Sequence, residues 1–224
     1  MTPGALLSLG SINADFEMRT EQPLQAGETL IGKDFRRLSG GKAANRAFLA
    51  HRLGHSATLL GCVGDDELAE QALGSPRRAG LPLEHVTRAR GVATAVSVIA
   101  VPPDGKKSIL LATNANDCWD PAATRDTLAA IAAAPAGSVL TLDCEIALGV
   151  PMHAAKAAAA RGLVVVLDPA PPARAERELL GICTALSPDA REAAELTGIE
   201  CATPDDAGRA AQALLSPDMR LSCV

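Results

Sequence analysis

Five residues near the amino terminus have types and spacing that suit a small polyhydroxylated ligand. Asn13 and Asp15 lie in Gly10-Ser11-Ile12-Asn13-Ala14-Asp15, and Gly41, Lys42 and Asn45 lie in Gly40-Gly41-Lys42-Ala43-Ala44-Asn45. Alternate residues of an extended segment face one side, so Asn13 and Asp15 can point together into a cleft. A carboxylate beside an amide can fork across a vicinal diol and accept the hydroxyl protons. Adjacent glycines let backbone approach a ligand closely. Lys42 and Asn45 are three apart and share a helix face. The helix start also offers free backbone N–H groups and the positive end of its dipole. Amides, a carboxylate and an ammonium suit a polyol whose reacting oxygen becomes anionic. Taken singly, the strings have plainer readings as a polar turn after a strand and a flexible loop with Asn45 capping locally.

Other carboxylates fall at element ends. Glu145 follows a strand candidate, in Asp143-Cys144-Glu145, and Asp168-Pro169-Ala170-Pro171 follows another. Asp189 and Glu192 are three apart at a helix start, where they either influence a metal ion and its waters or cap the helix. In Gly64-Asp65-Asp66, Asp65 or Asp66 is expected to cap a helix. His51 and His55 are four apart, but Gly54 is expected to end that helix, leaving two solvated histidines. Neither the Gly-x-x-x-x-Gly-Lys-Ser/Thr nor the Gly-x-Gly-x-x-Gly spacing occurs.

The elements that must position these groups alternate. Apolar runs at 5–9, 58–63, 139–142, 163–167 and 184–186 read as buried strands. Helical spacing marks 43–53, 66–79 with an interruption near Pro76, 121–134, 151–161, 189–197 and 204–215, with Gly198 as a carboxyl cap. Such alternation predicts an α/β fold: a mostly parallel sheet covered by helices on both faces. Ligands in that architecture bind outside the carboxyl ends of the strands. Segments 16–38 and 94–112 break the rhythm. The second reads as a hairpin turning at Pro102-Pro103-Asp104-Gly105, and both are expected to form a small β lid inserted in one domain.

Composition sets limits. The 224 residues are 48% hydrophobic but only 2% aromatic, so the core must be aliphatic. The net charge of -5 and the lack of any basic stripe argue against nucleic acid. No apolar stretch reaches bilayer-spanning length, and no secretory signal is visible. Six scattered cysteines without a CxxC pair read as free thiols in a reducing cytoplasm.

In order, these strings resemble the ribokinase branch of the PfkB carbohydrate kinases. Gly10 to Asp15 is similar to the family's opening. Gly40-Gly41-Lys42, Asn45 and Leu53-Gly54 are similar to its first signature, and Gly64-Asp65-Asp66, Glu145, Asp168 to Pro171 and Glu192 to Ile199 follow in family order. The resemblance implies ATP-dependent phosphorylation of a sugar hydroxymethyl group, that of ribose first, with a nucleoside or another furanose as alternatives. It implies that Asn13, Asp15, Gly41, Lys42, Asn45 and Glu145 hold the sugar. Asp189 and Glu192 would lie near the nucleotide and Mg2+, and a monovalent cation accompanies some members. It further implies a lid that closes over the site and builds a homodimer. Three departures stand out. Asp189 replaces an asparagine, Ala69 replaces a glycine, and the Gly-Ala-Gly-Asp string carrying the family's catalytic aspartate is absent. A C-terminally incomplete, poorly soluble kinase is therefore expected, with strand 184–186 an unpaired edge. A non-catalytic sugar-binding remnant and a truncated product without function are the alternatives.

Overall fold

The computed structural model describes residues 4–217 and 219–224. The chain begins with β1 (Leu6–Leu9), β2 (Asn13–Arg19), β3 (Lys33–Gly40), α1 (Lys42–Arg52) and β4 (Ala57–Gly64). Next come α2 (Glu67–Ala72), α3 (Gly74–Arg78), β5 (Val86–Ala89), β6 (Ala95–Val101), β7 (Ser108–Ala112) and α4 (Pro121–Ala133). The rest is β8 (Val139–Asp143), α5 (Val150–Ala160), β9 (Val164–Asp168), α6 (Arg177–Ile182), β10 (Ala185–Leu186), α7 (Ala190–Thr197), α8 (Pro204–Leu214) and β11 (Leu221–Ser222).

Among the described residues, one parallel sheet runs β11-β10-β9-β8-β1-β4-β5. The expected fold class is therefore observed: this sheet lies between helices, and a second, mixed sheet runs β3-β2-β6-β7. Helix signals are local and readable. Asp66 caps α2 by accepting the Ala69 N–H, and Asp120 caps α4 ahead of Pro121. Gly198, at φ +74°, ends α7. No helix among the described residues is long and apolar enough to cross a membrane.

Several expectations need correction. The 184–186 strand is not an unpaired edge. β10 pairs with β9 on one side and with β11 on the other, so the edge is the two-residue β11. The expected poor solubility loses its basis in an unpaired 184–186, because the edge is a two-residue strand and very short edge strands are poor templates for further pairing. The 66–79 helix is interrupted near Pro76 as expected, with the break itself at Leu73. Pro76 sits in the first turn of α3, where its missing N–H breaks no helical bond. The small sheet begins at Asn13 rather than 16, so Asn13 and Asp15 are strand residues. His51 is not simply solvated, since its Nε2 lies 3.0 Å from the Ala79 carbonyl oxygen.

The core is aliphatic and lies on both faces of the parallel sheet. Leu7, Leu9, Leu60, Leu140 and Leu142 pack against Ile131 of α4 and Ala154, Ala155 and Ala158 of α5. On the other face Leu59 and Val63 meet Ala43, Ala44 and Ala47 of α1 and Ala69 and Ala72 of α2. Alanines let those helices lie close to the strands. Under α1 the sheet turns polar: the Ser8 hydroxyl donates to the Ala43 carbonyl and accepts from Thr141. Leu142 is fully buried in the central strand β8. Leu142→Ala is expected to cost about 2–5 kcal/mol and to lower the melting temperature by roughly 4–20 °C, read by circular dichroism. A loss below ~1 kcal/mol contradicts this packing.

Candidate functional site

The two amino-terminal strings meet at the carboxyl ends of the central strands. After β1, Gly10, Ser11 and Ile12 carry the chain from the large sheet into β2. The Ser11 hydroxyl accepts the Lys42 N–H at 2.9 Å, and the Ser11 carbonyl accepts the Ala44 N–H at 3.4 Å. The β1 loop thus takes the Lys42 and Ala44 amides at the start of α1, which narrows the expectation of free amides there. Gly41 makes the approach possible. Its φ is +95°, and a Cβ would stand 2.4 Å from the Ser11 carbonyl oxygen.

Asn13, Asp15, Gly41, Lys42, Asn45 and Glu145 all line one cleft of about 180 Å³. That equals the liquid volume of about six waters and is smaller than the ~300–1,000 Å³ of sites for drug-sized ligands. The space suits one sugar ring. Ile99, Ile109 and Leu111 of the small sheet form an apolar wall, and Ser97 and Lys107 add polar groups that the sequence reading missed. Ser97 is a lone polar residue in the run Ala95–Val101, a signal that could have marked it.

The electrostatics favour a ligand with hydroxyl protons to give. Burial raises the Asp15 carboxyl above its usual range, the Ser97 hydroxyl opposes that shift, and Glu145 adds to it. Oδ1 of Asp15 is buried and has no hydrogen-bond partner. Asn13 is 4% exposed, and its carboxamide is held on both sides, by Ser97 at 3.2 Å and Asn116 at 2.8 Å. Two protons on Nδ2 and one bond to Ser97 leave one N–H to give.

Beside the cleft lies a second charged cluster. Asp143 and Asp168 are register partners at the ends of β8 and β9. Arg46 bridges them, at 2.6 Å to Asp143 and 3.5 Å to Asp168, and the Lys42 ammonium lies 3.2 Å from Asp168. Asp143 is fully buried, and burial pushes its carboxyl up to about 7 against the pull of Arg46. It also accepts the Ser11 N–H at 3.1 Å and the Glu145 N–H at 3.2 Å. Arg46 was missed in the sequence, although it stands one turn beyond Lys42 on the same helix.

Asp189 and Glu192 do not line the cleft. They form a reciprocal capping box at the start of α7: Asp189 accepts the Glu192 N–H, and Glu192 accepts the Asp189 N–H, each at 2.8 Å. Among the described residues no three His, Cys, Asp or Glu side chains cluster as for a metal ion. Glu192 nonetheless lies close enough to Asp168 and Lys42 for their charges to act on its carboxyl. The described residues also line a larger groove of about 630 Å³, between α4 and the amino ends of β1 and β4. Alanines supply much of its wall, with Thr58, Glu84, His85, Thr87 and Asp126 among its polar groups, and it lies away from the carboxyl ends of the strands where the cleft sits.

Replacing Asp143 by alanine strips Arg46 of its buried partner and leaves the Ser11 and Glu145 amides without an acceptor. Breaking such a pair costs about 3–5 kcal/mol. Urea unfolding of Asp143→Ala is expected to show that loss, with Asp143→Asn retaining part of the stability through its amide oxygen. An alanine variant as stable as the parent contradicts the arrangement.

Comparison with known proteins agrees with this fold. The pattern of the pfkB family carbohydrate kinases matches residues 4–218. A ribokinase from Haemophilus influenzae is 33% identical over 183 residues, covering 82% of this chain and 59% of the relative. A ribokinase from Schizosaccharomyces pombe is 31% identical over 189 residues, covering 82% and 58%. This chain thus spans about three fifths of the length of those curated relatives. The structure of Arabidopsis thaliana ribokinase complexed with ribose and ATP superposes with a TM-score of 0.74 at 26% identity, covering 93% of this chain and 67% of that one. With the strand order and these matches in agreement, the chain belongs to the pfkB family of carbohydrate kinases.

Proposed function

We propose that the chain provides the sugar-binding part of an ATP-dependent kinase that phosphorylates the hydroxymethyl group of ribose, giving ribose 5-phosphate. One observation carries the reading: Asp15, whose Oδ1 is buried without a hydrogen-bond partner, lines a cleft sized for one sugar ring. A buried acceptor without a partner is costly, and a ligand hydroxyl relieves that cost. The ribose and ATP named for the Arabidopsis structure support the choice of sugar and phosphoryl donor.

In this reading Asp15 accepts hydroxyl protons and Asn13 gives its remaining N–H. Asn45, Gly41 and Glu145 border the ring, and Lys42 places a positive charge at the cleft wall. ATP, when bound, supplies the phosphoryl group. The sequence contains no Gly-Ala-Gly-Asp string, so no carboxylate of this chain is assigned as the base that takes the hydroxyl proton. Sugar binding without transfer is the second reading, since the cleft is lined by residues 13–145 alone. Segments 16–38 and 94–112 act as the lid, whose closure excludes water from the site. The two faces of the small sheet fit the role. Asp15, Ser97 and Leu111 form one cross-strand row, lining the cleft, and Phe16, Val98 and Leu110 form the next, on the other face. With Phe35 stacked on Phe16 and Val98 and Leu110 exposed, that outer face is a surface for pairing two copies through the lid.

Isothermal titration with ribose tests the proposal. Binding is expected without ATP, and Asp15→Ala is expected to weaken it about tenfold or more. Because burial raises the Asp15 carboxyl above 3.8, the ionised acceptor forms only as pH climbs through that raised value. Affinity is therefore expected to increase from acid toward neutral pH. Equal affinity in Asp15→Ala overturns the assignment. Adding ATP to the ribose-bound protein separates the readings: sugar phosphate formation supports the kinase, and binding alone supports the remnant.

A further inference from the structure

The hydrogen-bonding sense of the cleft is set from outside it. A backbone N–H can only donate, and that of Ile12 donates to Oδ1 of Asn116 at 3.2 Å. This fixes which end of the Asn116 carboxamide carries oxygen. Its Nδ2 consequently faces Asn13 and donates to Oδ1 at 2.8 Å. Asn13 is oriented in turn, and its Nδ2 donates to the Ser97 hydroxyl oxygen at 3.2 Å. Ser97, now an acceptor on that side, has one proton to give. It stands directly opposite Asp15 in the β2–β6 ladder, where its hydroxyl draws the Asp15 carboxyl down against the rise that burial imposes. Asn116, Asn13 and Ser97 are 0%, 4% and 5% exposed, so bulk water does not compete along the row. Turning any one amide over would set two buried donors face to face.

We propose that Asn116, on the 3₁₀ turn Asn114–Asp117 and outside the cleft, is a positioning residue that sets the polarity of the sugar site through a directed relay from Ile12 through Asn116, Asn13 and Ser97 to Asp15. This inference rests on the reading of the cleft as a polyol site. The relay makes Asn13 present a donor and Asp15 an acceptor on the same face of β2, about 7 Å apart along the strand. A ligand must then accept a hydrogen bond at the first and give one at the second. A hydroxyl can do either. A carbonyl or carboxylate placed against Asp15 meets a second acceptor and is rejected. The structure isolates the Asn116 side chain for this task. Its backbone N–H bonds the Thr113 carbonyl, and its own carbonyl accepts from Trp119 Nε1 and the Ala147 N–H. Those bonds hold the turn whatever the side chain. The other charged groups that act on Asp15 are Glu17 on β2, Lys107 in the β6–β7 turn and Glu145 after β8, with Lys42 of α1 in the same cleft. None belongs to the relay.

The test is a carbon-13 NMR titration of the Asp15 carboxyl in ligand-free protein, for the parent, Ser97→Ala, Asn116→Ala and the double variant. Ser97→Ala is expected to raise the Asp15 midpoint. Asn116→Ala is expected to raise it equally, because a released Asn13 turns its oxygen to Ser97 and takes the proton that Asp15 had received. The double variant then shows no further rise. An unmoved midpoint in either single variant, or shifts that add in the double, overturns the relay. A purely structural role for Asn116 would lower the melting temperature and leave the midpoint in place. Should Asn116→Ala fail to fold, exchange of the side-chain amide protons in the unmodified protein decides. Protected carboxamides at Asn13 and Asn116 support the relay, and exchange at the rate of exposed amides overturns it. Ribose affinity is expected to fall about tenfold in Asn116→Ala. A parent protein that binds no ribose overturns the polyol reading, while the ligand-free titration still judges the relay.

Discussion

A single buried carboxylate ties the site to the fold. Asp143, at the end of the central strand β8, gathers the Ser11 N–H from the β1 loop, the Glu145 N–H from its own loop and the Arg46 guanidinium from α1. Stripping water from a carboxylate is expensive, and only several well-placed donors offset that cost. The donors are therefore obliged to stay where Asp143 puts them. Gly10 is part of the same constraint, since a Cβ there would fall 1.8 Å from the Asp143 carboxylate. Once the β1 loop, the β8 loop and the first turns of α1 are fixed to one point, Asn13, Glu145 and Lys42 have little freedom to be anywhere but around a shared space.

The second constraint is the alternation of side chains across the small sheet. One strand, β2, serves two surfaces. Asn13 and Asp15 face the cleft, and Phe16 joins the apolar outer face. A slip of one residue in the pairing with β6 would exchange the two faces, placing aromatics in the cleft and the carboxylate outside. The register Asp15 to Ser97 is thus a chemical requirement as much as a packing one. The turn that follows β7 is braced separately. Arg174, after β9, donates to both oxygens of Asp117 at 2.8 and 3.0 Å. Burial opposes ionisation of Asp117, but Arg174 and Thr113 outweigh it and hold the carboxyl below its ordinary value. That brace fixes the turn carrying Asn116, and through it the polarity of Asn13.

Much of this was legible in the sequence, for identifiable reasons. The central strands are short apolar runs, α4, α5 and α8 carry Pro in their first turn, and glycines follow α1, α5 and α7, so local chemistry names them. Singly, the strings holding Asn13, Asp15 and Asn45 read as a turn and a cap; they were visible because both strings occur together and in the family's order. What stayed hidden depends on partners distant in the chain. β5, with sequence Val-Thr-Arg-Ala, has no apolar pattern and is a strand only because β4 pairs with it. α6 and β11 are too short to show a period. The edge position expected for 184–186 failed because β11 pairs with it from 35 residues or so further along the chain. Arg46 and Asn116 look like ordinary helix and turn residues until Asp143 and Ile12, about a hundred positions away, are brought against them.

The central claim is that the ends of β1 and β8, the start of α1 and the small sheet enclose the sugar site. Amide chemical-shift mapping of the isotopically labelled protein during a ribose titration tests it most directly. The largest changes are predicted at Asn13, Asp15, Gly41, Asn45 and Ser97. Changes centred instead on the groove beneath α4, at Thr58, Thr87 and Ala130, would contradict the account.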